Sequence, residues 1–107
     1  MDKQDTLDQE YRLKRRAYEE EEDDLLLQRD KGLFLLEEVG DKLNYYYKDS
    51  AQDYDIIRDG LHGLYELKEE LEETTKIERK QLERKMDDLE DTYYRQLREL
   101  SVNGRNK

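Results

Sequence analysis

An all-α fold, a long antiparallel helical hairpin that turns near residues 48–50, is predicted by three features of the sequence. The first is a heptad ladder that runs up one half of the chain and returns down the other. The second is the absence of proline, the commonest breaker of a helix. The third is a composition with 47% charged and 34% hydrophobic residues, which suits a narrow apolar seam better than a compact core. In the first half the sevens fall on Tyr11, Tyr18, Leu25, Gly32, Val39 and Tyr46. In the second they fall on Tyr54, Leu61, Lys68, Thr75, Leu82 and Leu89. The numbers of facing residues add to 100, and so do those of a second set, Leu43 with Ile57, Leu36 with Leu64 and Leu7 with Tyr93. Two helices folded back on each other would set these side chains face to face.

The first arm is expected from about residue 5 to 47, and the second from about 51 to 101, with a frayed tail over 102–107. The 107 residues are one domain's worth. Lys48-Asp49-Ser50 is the expected turn, and Ser50-Ala51-Gln52-Asp53 fits a capping box for the second arm. Asn103-Gly104 reads as a C-terminal stop signal. Acid-to-base spacings of four, as in Glu72 to Lys76 and Asp91 to Arg95, support the outer faces. The intramolecular seam is assigned to Tyr11, Tyr18, Leu25, Leu36, Val39, Leu43 and Tyr46 on the first arm. Tyr54, Ile57, Leu61, Leu64, Leu82, Leu89 and Tyr93 answer them on the second.

Gly40, Gly60 and Gly63 interrupt this pattern, and each costs about 1 kcal/mol against alanine inside a helix. Two readings account for them. They let the backbones approach closely or kink near the turn, which is the favoured reading, or Gly60 and Gly63 break the second arm in two.

The seam does not absorb all the apolar residues. Leu25-Leu26-Leu27 and Leu33-Phe34-Leu35-Leu36 place hydrophobic groups around more than half of the helix, and Ile56, Tyr65 and Leu67 do so on the return. A helix apolar on several sides expects further neighbours. Nine tyrosines against one phenylalanine point the same way, since tyrosine suits a surface that is apolar yet wet. Tyr11 and Tyr18 fill seam edges. Leu26, Leu33, Phe34, Tyr45, Tyr47, Ile56, Tyr65 and Leu67 are the expected partner interface, which a second copy could cover as well as another protein.

Little in the sequence points to chemistry. A formal charge of −10 disfavours a nucleic-acid ligand. Without cysteine there is no thiol nucleophile, and His62 stands alone, so no histidine metal cluster or histidine-paired triad can be built. The run Glu19 to Asp24 lacks the glycine-turned loop of specific calcium sites. No catalytic, cofactor or metal residue is assigned, and no enzymatic activity is expected. Met1-Asp2-Lys3-Gln4-Asp5 begins no apolar leader, and Leu33 to Leu36 is far too short to span a bilayer. A cytoplasmic protein is expected, with any export independent of a signal peptide.

The hairpin with its turn at Tyr47-Lys48-Asp49-Ser50, and the charged arm ending Leu89-Glu90-Asp91-Thr92-Tyr93-Tyr94-Arg95-Gln96-Leu97, resembles the WXG-type proteins of type VII secretion. The nearer resemblance is to the small helical partner proteins encoded beside LXG-domain toxins in Gram-positive bacteria. Tyr47-Lys48-Asp49 stands where that family has Trp-Xaa-Gly. The export signal of an aromatic followed four residues later by an acid is absent at the expected place, where Tyr93 leads to Leu97 and Tyr94 to Arg98. The same spacing recurs from Tyr45 to Asp49 and from Tyr65 to Glu69. The resemblance implies a protein partner, the helical N-terminal domain of a secreted toxin, joined or not by a second small helical protein. The other readings are a cytosolic helical chaperone of the prefoldin or tubulin-cofactor kind and a homodimeric coiled-coil spacer.

Overall fold

A computed structural model describes residues 2–49 and 54–105. The chain is an all-α helical hairpin of two helices, α1 (Lys3–Tyr47) and α2 (Tyr54–Arg105). Lys48 and Asp49 form a turn after α1. The capping box expected at Ser50 to Asp53 lies outside the described residues.

The helices begin and end differently from expectation. α1 starts at Lys3 because Asp2 caps it. The Asp2 carboxylate accepts the Asp5 backbone N–H at 2.7 Å, and its carbonyl oxygen accepts the Thr6 N–H at 3.3 Å, which satisfies amides that a helix start leaves unpaired. α2 runs unbroken through Gly60 and Gly63. It also continues past residue 101 and through Asn103-Gly104 to Arg105. A glycine stop works by adopting positive φ, and no glycine among the described residues does so.

The two helices divide into two compact units. One joins residues 1–24 of the first half to residues 78–107 of the second, and the other spans residues 25–77.

In the unit formed by residues 1–24 and 78–107, aromatic and polar groups tie the helices together. Tyr11 stacks on Tyr93 with ring centroids 4.2 Å apart and planes 17° from parallel. The Tyr93 hydroxyl donates to Asp8 Oδ1 at 2.5 Å, and Arg15 Nη1 donates to the Tyr11 hydroxyl at 2.8 Å. The Tyr93 phenol titrates above its ordinary value, because ionising it breaks the bond to Asp8 and because it is partly desolvated. Arg79 of α2 reaches Glu22 of α1 at 3.8 Å. Leu82, 8% exposed, is the buried apolar side chain of this unit.

In the unit spanning residues 25–77, leucines seat on glycines of the opposite helix. A Cβ built at Gly32 would lie 2.7 Å from Leu71 Cδ2, and one at Gly60 would lie 2.6 Å from Leu43 Cδ2. Thr75, 5% exposed, is the buried polar residue here, and its hydroxyl donates to the Leu71 carbonyl at 2.8 Å. That back-bond satisfies the hydroxyl inside its own helix.

The pairing is therefore displaced from the expected ladder by about a helical turn. Tyr11 stacks on Tyr93 rather than meeting Leu89, Leu43 meets Gly60 rather than Ile57, and Gly32 meets Leu71 rather than Lys68. Sevens hold over short stretches, and a longer spacing holds over the helices as a whole. The sheltered positions of α2 recur at elevens, as in Gly60, Leu71, Leu82, Tyr93 and again in Leu64, Thr75, Met86, Leu97. On α1 the same spacing links Leu7, Tyr18, Arg29 and Gly40.

This corrects three seam assignments. A helix of 3.6 residues per turn drifts about 20° per heptad, so four or five heptads from Tyr11 carry Val39 and Tyr46 roughly 80–100° around α1. Tyr54 drifts likewise from Leu89. All three are exposed, Tyr46 to 73% and Tyr54 to 65%. Leu61, 37% exposed, still reaches α1, its Cδ2 3.8 Å from where a Cβ on Gly40 would stand. An eleven-residue spacing strays less per residue and keeps the seam facing inward.

Candidate protein-docking surface

Within residues 25–77 the close approach of α1 and α2 leaves an open groove of about 510 Å³. Leu33, Leu36 and Gly40 line it from α1, and Leu61, Leu64 and Tyr65 from α2, with Glu37, Lys68 and Glu72 at its rim. The floor follows from the sequence locally. Leu36 and Leu64 sit on the seam, while Gly40 withholds a side chain where one would fill the space beside them. A Cβ there would meet Leu64 Cδ1 at 3.6 Å, an ordinary contact.

The expected interface residues divide among three settings. Leu26, Leu33 and Tyr47 are half-buried, so part of each side chain is already engaged within the hairpin. Tyr65 stands 59% exposed at the groove wall. Phe34 and Tyr45 are exposed on the outer side of α1, and Ile56 and Leu67 on the side of α2 away from the groove. The eight residues therefore do not converge on one patch.

Of the expected seam residues, Leu82 is buried, and Tyr11, Tyr18, Leu25, Leu36, Leu43, Ile57, Leu64, Leu89 and Tyr93 are half-buried. Val39, Tyr46 and Tyr54 add to the exposed apolar surface instead, beside Leu35, while Leu61 lies at the seam's edge against Gly40. Sequence reasoning anticipated close packing at Gly60 and excess apolar surface at Leu35, but it left Leu35 out of the expected interface and missed the Gly32 socket. Gly32 stood on the ladder, but its role depends on Leu71 arriving opposite, and spacing alone carries no signal for that.

The polar groups do not gather around the groove. His62 Nε2 lies 3.0 Å from Glu66 Oε1, and both side chains are about 70% exposed. Among the described residues no group of three or more histidine, aspartate or glutamate side chains is placed to hold a metal ion. None of the helices, over those residues, is long and apolar enough to cross a membrane. Chemically the arrangement offers shape, apolar area and a mixed-charge rim, which suit recognition of another side-chain surface.

No protein-family model, characterised protein or solved structure compared with this chain matches it.

Proposed function

We propose that this chain is a non-enzymatic protein-binding partner that docks a helix of another protein on residues 25–77. The observation that carries the reading is the open apolar groove, walled by Leu33 and Tyr65, in a helical hairpin with further exposed apolar residues around it. Covering a leucine, phenylalanine or isoleucine side chain stabilises a complex by about 1.5–3 kcal/mol each when burial is complete. A few such residues offset about 5–9 kcal/mol of an association cost of about 4–15 kcal/mol, the scale of a modest complex.

The resemblance to partners of LXG-domain toxins supplies the finer proposal. The client is the helical N-terminal domain of a type VII secretion effector. One of its helices lies along the groove, and the complex stabilises that domain by mass action and assists its export.

The experiment is calorimetric titration of the full chain into the purified N-terminal domain of an LXG-type toxin encoded beside it. Binding is expected, weakened at least tenfold by Tyr65→Ser combined with Leu33→Ser. No binding, with the hairpin folded by circular dichroism, would remove the effector reading. Binding that the double substitution leaves untouched would remove the groove from it.

A further inference from the structure

The side of residues 25–77 away from the groove carries an apolar face of its own. Leu35, Val39 and Tyr46 from α1 and Ile56 and Leu67 from α2 lie there, each at least half exposed. Their placement follows from about 100° per residue. A residue just before a seam residue lies roughly a quarter-turn to one side of the seam, and in two antiparallel helices that is the same side of the hairpin. Leu35 and Val39 precede Leu36 and Gly40, and Gly63 precedes Leu64. Gly63 is the gap in this face: a Cβ built on it would meet nothing within 4 Å.

The charges at the edges of this face differ between the helices. Lys31, Glu38 and Lys42 flank it on α1, a net positive edge, and Asp59, Glu66 and Glu70 flank it on α2, a wholly acidic one. Lys31 and Lys42 are exposed, and neither is in an ion pair among the described residues. Asp59 and Glu70 are also exposed, Asp59 with only a 3.5 Å contact to Arg58.

The pairing within the hairpin shows which of these groups stand nearly level. Leu43 seats on Gly60, Leu71 seats on Gly32, and Gly40 lies against Leu64. The chains run in opposite directions, so the residues one step earlier are offset along the axis: Lys42 from Asp59 and Lys31 from Glu70 by about 3–4.5 Å, within reach of a lysine side chain, and Val39 from Gly63 by about 1.5–3 Å. In one hairpin each pair is separated by the full width of the face. A second copy related by a two-fold axis parallel to the helices, with both turns at the same end, would bring its α1 over the first copy's α2. Lys42 would then meet Asp59 of the partner subunit, Lys31 would meet Glu70 of the partner subunit, and Val39 would enter the gap at Gly63 of the partner subunit. Each contact occurs twice, as an isologous interface requires. The opposite arrangement, with turns at opposite ends, sets α1 over α1 and lysine edge against lysine edge.

We infer that this face is the interface of a parallel homodimer, a four-helix assembly held by Leu35, Val39, Tyr46, Ile56 and Leu67 and set in register by the Lys42–Asp59 and Lys31–Glu70 pairs. From Lys31 to Tyr46 it extends roughly 22 Å along α1 by two helix widths, about 900 Å² in total over both copies, the size of a weak, transient interface. The dimer therefore dissociates on dilution. It leaves the groove of Leu33 and Tyr65 open on the other side, so it stands independently of the proposed client.

The test is analytical ultracentrifugation of the full chain over a wide concentration range, with circular dichroism to verify folding. Wild type is expected to pass from monomer to dimer. K31E/K42E and D59K/E70K should each weaken dimerisation at least tenfold while remaining helical, since all four sites are exposed. An equimolar mixture of the two variants should regain the dimer, because every reversed pair again finds its opposite. Gly63→Arg, which fills the gap, should also weaken it. A wild type that stays monomeric throughout, or a dimer indifferent to both charge reversals, overturns the proposal. So does a mixture that stays as weak as its components.

Discussion

Gly60 of α2 is the socket for Leu43 of α1: a Cβ in the glycine's place would lie 2.6 Å from Leu43 Cδ2. Gly32 and Leu71 repeat the relationship with the helices exchanged. Each helix thus supplies one knob and one hole, and the glycines that weaken the helices locally allow them to approach.

Alanine substitutions should separate socket glycines from the rest. Gly40→Ala and Gly63→Ala gain helix propensity without a clash and should stabilise by about 0.5–1 kcal/mol. Gly60→Ala gains the same but drives Leu43 from its seat, an overpacking cost of about 1–3 kcal/mol, so it should lose up to about 2 kcal/mol net. Urea unfolding checks the order. Leu43→Ala with Gly60→Ala should cost less than the two single changes added together, since they share one contact.

Leu82 and Thr75 are both buried but should respond oppositely. Leu82→Ala opens a cavity beside the neighbouring helix and should cost about 2–3 kcal/mol, near the lower end for buried leucines because the seam is thin. Thr75→Val removes a hydroxyl bonded only to the Leu71 carbonyl of its own helix. Isosteric replacement should fall between neutral and about 1 kcal/mol more stable. Thermal melts of the two variants decide this.

The Tyr93 phenol, held above its ordinary value first by its bond to Asp8 and then by burial, makes stability depend on alkaline pH. Raised in the folded state, it contributes stability that is complete below the unfolded tyrosine value of about 10 and is lost as pH rises through the higher folded value. Wild type should therefore lose stability over that window, and Tyr93→Phe should lose less. Asp8→Asn should bring the Tyr93 titration down toward the ordinary range, as read from tyrosinate absorbance.

The Arg79–Glu22 pair links the helices at 3.8 Å, with the arginine nearly half exposed. Geometry that loose in solvent is worth little. Arg79→Ala should change stability by no more than about 0.5 kcal/mol, with little difference between low and high salt in chemical denaturation.

The hairpin was legible because its causes are local. Proline-free helical stretches, a hydrophobic repeat and the Lys48-Asp49 turn all act over a few residues, and the ladder through Tyr11, Tyr18, Leu25, Leu82 and Leu89 tracked the sheltered side where the count was short. It failed at Val39, Tyr46 and Tyr54, where a seven-residue count had run through four or five heptads and rotated away from a helix of 3.6 residues per turn. The stop read at Asn103-Gly104 failed for another reason: glycine permits positive φ without requiring it.

The sequence by itself determined that this protein is two long helices folded together, with more apolar surface in residues 25–77 than one seam can cover. Tertiary structure alone decided the register, in which Leu43 meets Gly60 and Leu71 meets Gly32, and with it which apolar residues turn outward. The physical reason is that helix formation depends on each residue and its near neighbours. The register is a choice among pairings about a turn apart, decided by where bulky side chains of one helix find glycines on the other.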